Sequence, residues 1–158
     1  MIHRATIEDS SFLDLVWNHP DIRPFILDDY AREESHGMDW NILLKTPYIH
    51  FLIPVSDEKE KLGCFFIHPW NSICFEAHSL ILPEFRGNGL IRYAEEVIKW
   101  MKGNTNCRKL ITHVPTFNRR AYAFAVKSGF SIEGTNKSSF LRDGKLYDQH
   151  LFGLILEG

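Results

Sequence analysis

The 158 residues carry 44% hydrophobic and 24% charged side chains and a formal net charge of −2, the make-up of an ordinary globular domain. That balance excludes a general nucleic-acid binder, which needs a strong basic excess. No apolar run approaches the length of a membrane-spanning helix, and "MIHRATIEDS" lacks the apolar core of a signal peptide. Cys64, Cys74 and Cys107 are odd in number and widely spaced, so they read as reduced thiols in a cytoplasmic protein. One domain spanning residues 1–158 is expected.

In chain order, residues 2–7 form a short first strand, and Asp9 or Ser10 caps a helix bearing Phe12, Leu13, Leu15 and Val16. One or two short helices are expected between Pro20 and Trp40, where aromatic residues mix with Asp28, Asp29, Glu33, Glu34 and Asp39. "YIHFLIPV" and "KLGCFFIHP" flank the charged "SDEKE" and predict a hairpin with a solvated turn. "SICFEAHSLIL" predicts a third neighbouring strand in which Glu76 and His78 share one face. Then comes "RGNG", followed by Leu90, Ala94, Val97, Ile98 and Met101 at helical spacing, with Gly103 as a stop. "KLITHV" predicts the next strand. Asn118 to Gly129 predicts a second helix, and "FSIEG" and "YDQHLFGLIL" predict two closing strands with a turn at Asp143-Gly144. Three successive strands without helices between them exclude a doubly wound sheet. A mixed sheet with helices on its faces fits the order.

A strand that ends at Leu82 and leads through "RGNG" into a helix is a recipe for anion binding. The first helical amides lack intrahelical acceptors, and glycine lets the backbone approach a ligand. A plain tight turn explains the glycines equally well. A third glycine is missing, since position 92 is Arg92, so the dinucleotide fingerprint fails, and no Walker loop is present.

"LILPEFRGNGLIRYAEEVIKWM" followed by "FNRRAYAFAVKSGFSIEG" resembles the GNAT superfamily of acyl-CoA N-acyltransferases. There a Q/R-x-x-G-x-G/A turn opens the central helix, and a downstream Asn-x-x-Ala/Ser precedes Gly-Phe. The matching positions here are Asn118, Ala121, Gly129 and Phe130. "GKLYDQHLFGL" is similar to the closing strands of the branch that acetylates protein N-termini and similar amines. The resemblance covers roughly residues 72–155. Glu84 stands where Gln or Arg is usual, and Ala125 stands where many members place a general-acid tyrosine. Tyr122 does not inherit that role.

The resemblance implies an α/β (α+β) fold with a mixed, mostly antiparallel sheet of about seven strands and helices on both faces. It implies acetyl-CoA as co-substrate and an amine acceptor, on a small molecule or a protein, with no nucleic-acid or membrane partner and a monomeric or homodimeric chain. It further implies that Leu80, Ile81 and Leu82 offer backbone hydrogen bonds to pantetheine. Arg86, Gly87, Asn88, Gly89, Leu90 and Ile91 would wrap the pyrophosphate, Asn118 would contact the cofactor arm, and Phe124 and Lys127 lie where the adenosine end usually passes. Core packing for Phe124 and plain solvation for Lys127 are the bland alternatives.

An amine with an unperturbed pKa of about 10.4 must lose a proton to attack a thioester, so a base is needed. Glu76 is the first candidate, because an acid in an apolar strand is costly to bury unless paired or used. His78 is the alternative. His50, His68 and His113 read as hydrogen-bonded strand neighbours, and no metal site is expected. The acidic set from Asp28 to Glu34 reads as a solvated face or as an attractor of a cationic amine. A catalytically degenerate domain that binds CoA, or serves as an interaction module, is the rival reading.

Overall fold

In the computed structural model, residues 1–34 and 37–157 are described, with the side chain of Asn88 outside the description. Seven strands form one sheet: β1 (Ile2–Arg4), β2 (His50–Pro54), β3 (Gly63–Pro69), β4 (Cys74–Ile81), β5 (Lys109–Pro115), β6 (Ser131–Arg142) and β7 (Lys145–Ile155), in the order β1-β2-β3-β4-β5-β7-β6. Every pairing is antiparallel except β4 with β5. The helices are α1 (Ser10–Trp17), α2 (Arg23–Ile26), α3 (Asp29–Glu34), α4 (Trp40–Leu43), α5 (Ile91–Asn104) and α6 (Arg119–Lys127).

Side chains alternate across each strand, so the sheet has two apolar faces and each needs a cover. On one face Phe65, Ile67, Phe75, Ile81 and Leu110 pack with Tyr93, Val97 and Met101 of α5. On the other, Phe51, Ile53, Cys64, Leu80 and Leu82 pack with Leu13, Val16 and Trp17 of α1 and with Ile22 and Trp40. The α5 stripe follows the expected period, with Ala94, Val97 and Met101 buried and Tyr93 added to them. Its end lies one residue beyond Gly103, where the Thr105 hydroxyl donates to the Met101 carbonyl at 2.6 Å. In α6 the Asn118 side chain accepts the Ala121 N–H at 3.1 Å as an N-cap. Gly129, at φ 94, ends that helix while Phe130 donates its N–H to the Ala125 carbonyl.

Among the described residues, the short helices α2 and α3 lie between Pro20 and Trp40 as expected, and α4 begins at Trp40. One expectation differs from the structure: β6 runs on to Arg142, far past "FSIEG". Its polar, largely exposed residues hide the strand from a hydrophobic pattern, because β6 is an edge that pairs with β7 alone, with register shifts at Ile132/Gly134 and Asn136/Phe140.

The acidic set divides. Asp29 accepts the N–H groups of Asp143 and Gly144, each at 2.8 Å, and pairs with Arg32 at 2.6 Å. Those bonds hold the carboxyl below its usual range, the Gly144 amide most of all, and tie α3 to the β6–β7 turn. Asp28 accepts the Ala31 N–H as a cap, while Glu33 and Glu34 face solvent.

Candidate active site

β4 and β5 pair only over Cys74–Glu76 and Lys109–Ile111, then diverge. Beyond Glu76 the β5-facing backbone of β4 has no strand partner among the described residues. Leu82 donates its N–H to the Leu62 carbonyl at 3.0 Å, toward the β3 side. Antiparallel alternation therefore turns the Leu80 amide the same way and presents the Ser79 and Ile81 backbones to the open side. Of the three residues expected to offer backbone bonds, only Ile81 faces the gap, and Ser79 joins it. Leu80 and Leu82 instead fill the core beneath α1.

A cleft of about 390 Å³ opens there, and its lining includes Ser79, Ile81, Arg86, Gly87, Leu90, Ile91, Asn118, Phe124 and Lys127. A smaller cavity of about 60 Å³, lined in part by Ala77, His78, Ser79, Thr112 and Val114, lies where the strands part. The two share Ser79, Ala121 and Phe124 as walls. Phe124 lines the cleft and also stacks on Phe65, with ring centroids 6.4 Å apart.

The glycine turn forms one end of this cleft. Gly87 sits at φ 142, a backbone that side chains rarely adopt, and a short 3-10 turn, Asn88–Leu90, leads into α5. A Cβ added at Gly89 would meet nothing within 4 Å, so no protein neighbour demands a glycine there. Arg86 is anchored rather than free: its Nε donates to the Ile81 carbonyl at 3.2 Å and its NH2 to the Asp21 carbonyl at 2.9 Å. Its charge thus lies fixed beside the cleft. The turn's amides, this guanidinium and the open strand edge suit an extended ligand with an anionic end, as CoA is.

On the other face of β4 the sheet assembles a polar cluster. The register sets His68 opposite Glu76 and Phe66 opposite His78, and β5 brings His113. Glu76 is only 7% exposed. Its Oε1 lies 2.9 Å from His113 Nδ1, and its Oε2 accepts the Trp70 indole N–H at 2.7 Å. The Nε2 atoms of His68 and His78 lie 3.1 Å apart, at 3.8 and 3.9 Å respectively from the Glu76 carboxylate. Burial pushes the Glu76 carboxyl up, but the hydrogen bonds from His113 and Trp70, together with the histidine charges, outweigh it and hold it at about 2. Burial pushes His78 down to about 4 against the opposing pull of Glu76. The hydrogen bond with Glu76 raises His113. The centre is a fixed carboxylate beside two stacked imidazoles, of which burial keeps His78 neutral.

His50 lies apart from this cluster, 7% exposed and edge-on to Trp100. Ala125 is buried in α6, and Tyr122 packs its ring against Phe152 and His150. Sequence reasoning overlooked Trp70 and treated His68 and His113 as separate neighbours. The turn between β3 and β4, where Asn71 Oδ1 accepts the N–H groups of Ile73 and Cys74, is the signal that pairs His68 with Glu76. His113 joins only through the parallel β4–β5 register.

The family model described as the acetyltransferase (GNAT) family matches residues 13–130. No curated protein sequence matches the chain. Among solved structures, the spermidine N-acetyltransferase from Vibrio cholerae in complex with CoA and spermine is 18% identical, with TM-score 0.81 over 99% of this chain and 95% of that one. A putative phosphinothricin N-acetyltransferase is 16% identical, with TM-score 0.77 over 100% and 99%. A dodecameric structure of the Vibrio cholerae spermidine N-acetyltransferase, in an intermediate state, is 17% identical, with TM-score 0.79 over 99% and 93%. No helix among the described residues is long and apolar enough to cross a membrane.

Proposed function

The chain belongs to the GNAT acetyltransferase family of acetyl-CoA-dependent enzymes, and from that premise we propose that it transfers an acetyl group to an amine of a small molecule or a protein. The observation that carries this reading is the gap beyond Glu76, with the glycine turn along one end and the Glu76–His78 cluster at the other.

Bound acetyl-CoA supplies an activated thioester carbonyl, and the chain supplies position and proton transfer. The amides from Gly87 to Ile91 and the Arg86 charge hold the pyrophosphate. The Ser79 and Ile81 backbones bind the pantetheine arm as an added strand. One of these strand amides donates to the carbonyl oxygen as negative charge develops on it. Asn118, Phe124 and Lys127 flank the remaining arm.

His78 fills the base role, with Glu76 as its charge partner. A carboxyl held near 2 accepts a proton weakly, and both of its oxygens already accept hydrogen bonds. His78 is neutral, lines the small cavity and stands 3.9 Å from that carboxylate. His78 therefore takes the amine proton, directly or through a water. The Glu76 charge stabilises the imidazolium that results, and His113 and Trp70 keep the carboxylate in place. A thiol's unperturbed pKa of about 8.5 makes the thiolate a serviceable leaving group without a dedicated acid, which accommodates Ala125.

The buried Ala125 also motivates the rival reading, a domain that binds CoA without turnover. An amine and peptide panel assayed by release of free CoA separates the two. Turnover with at least one class of amine supports the enzyme. Binding of acetyl-CoA with no release above hydrolysis across the panel supports the binder.

A further inference from the structure

His68, Glu76 and His78 each direct a ligating atom to one point, with all three atoms within 4.8 Å of one another. We propose that these three residues form a transition-metal site that takes Zn²⁺ or a cation of like chemistry, and that an ion held there blocks the base side of the active site.

The geometry requires modest movement. A tetrahedral zinc with bonds of about 2.0–2.1 Å sets neighbouring donor atoms roughly 3.3 Å apart. The two Nε2 atoms already stand 3.1 Å apart, with Glu76 Oε2 3.8 Å from His68 and Oε1 3.9 Å from His78, and a single carboxylate oxygen lies within 4.8 Å of both rings. Drawing one carboxylate oxygen in by up to about 1.5 Å takes side-chain rotations of Glu76 and of the two rings, and His68 and His78 are about a third and a quarter exposed. A water completes the fourth position.

The donor chemistry fits as well. Both imidazoles must offer Nε2 lone pairs, so a metal-bound pair carries its ring protons on Nδ1, a tautomer with no net charge. Glu76 is ionised, and each of its oxygens keeps a second lone pair after accepting from His113 or Trp70. Those two donors become the outer contacts that orient a ligating carboxylate. Two imidazoles and one carboxylate suit Zn²⁺, Co²⁺, Ni²⁺ or Cu²⁺ over Mg²⁺ and Ca²⁺, which prefer all-oxygen sets.

The blocking part rests on the acetyl-transfer reading, because the ion would occupy the lone pair that His78 offers to the amine proton. The site itself does not rest on it. The test is calorimetric titration of chelator-treated, full-length protein with ZnCl₂ near neutral pH, with Co²⁺ visible absorption as a coordination readout and Mg²⁺ as the control. One ion per chain should bind. Affinity should fall at least tenfold in His68→Ala and in His68→Gln, and again in His78→Ala, with folding of each variant checked by circular dichroism. Trp70→Phe, which removes only an outer contact, should weaken binding by roughly tenfold to a hundredfold. No binding in a millimolar titration, or equal binding by the folded His68 and His78 variants, overturns the site. In the transfer assay, half-inhibition by Zn²⁺ should match the calorimetric Kd, with reversal by chelator. Full activity at saturating Zn²⁺ overturns the blocking claim. A metal-free protein that binds Zn²⁺ but transfers no acetyl group to any amine sinks the functional reading and leaves the site standing.

Discussion

Replacing Glu76 by Gln keeps the shape of the side chain and removes its charge. Two losses follow. The carboxamide offers one oxygen where Trp70 and His113 now each have an acceptor, so one donor must turn elsewhere. More important for rate, a proton arriving on His78 no longer meets a negative charge 3.9 Å away. At an effective dielectric of about 20, that attraction is worth about 4 kcal/mol, which converts to roughly a thousandfold in rate. His78 is partly exposed and solvent screens the pair, so a tenfold to thousandfold fall in kcat is expected. The assay is steady-state release of CoA with an accepted amine, with kcat and the KM for acetyl-CoA measured separately. The KM for acetyl-CoA should move little, because Glu76 is not among the residues that line the cofactor cleft. A kcat within about twofold of the parent's would refute the charge argument.

Three further outcomes follow from other parts of the molecule. Gly89→Val should weaken acetyl-CoA binding at least tenfold while Tm stays within a few degrees, because no protein atom lies within 4 Å of the added Cβ; equal affinity would mean that no ligand approaches this turn. Gly63→Ala should unfold at lower denaturant, by about 1–3 kcal/mol or more, since Gly63 has φ 145 and its Cβ would strike the Leu80 carbonyl; an unchanged denaturation midpoint would show that the strand bends to accept it. For Asp9, burial raises the carboxyl, but bonds from Lys61, Thr6 and His3 outweigh it and lower the pKa from 3.8 to about 2. A depressed carboxyl stabilises the fold above its unfolded pKa, so about 2 kcal/mol should be lost as pH falls from about 5 to 2. Asp9→Asn should flatten that part of the stability–pH curve, and a parallel curve would exclude Asp9 as its source.

Much of the scaffold was legible because its signals are local. The α5 stripe and the second helix from Asn118 to its stop at Gly129 declare themselves in their own residues, and both stand where the pattern put them, with Asn118 as the helix N-cap. The parts that depend on partners were not. β6 is an exposed edge, so no hydrophobic alternation marks its polar half. The backbone directions of Leu80 and Leu82 follow from which side of β4 pairs with β3, and a strand's own residues do not state that. The candidate base centre shows the same division. Glu76 and His78 were visible as an acid and an imidazole on one face, yet His68, Trp70 and His113 reach them only through pairing across three strands.

The central claim is that the gap between β4 and β5 receives acetyl-CoA, and calorimetric titration of the protein with acetyl-CoA tests it most directly. One saturable site per chain is expected, with an affinity that survives Glu76→Gln and fails in Gly89→Val. No heat of binding at high micromolar acetyl-CoA, from protein shown to be folded, would contradict it.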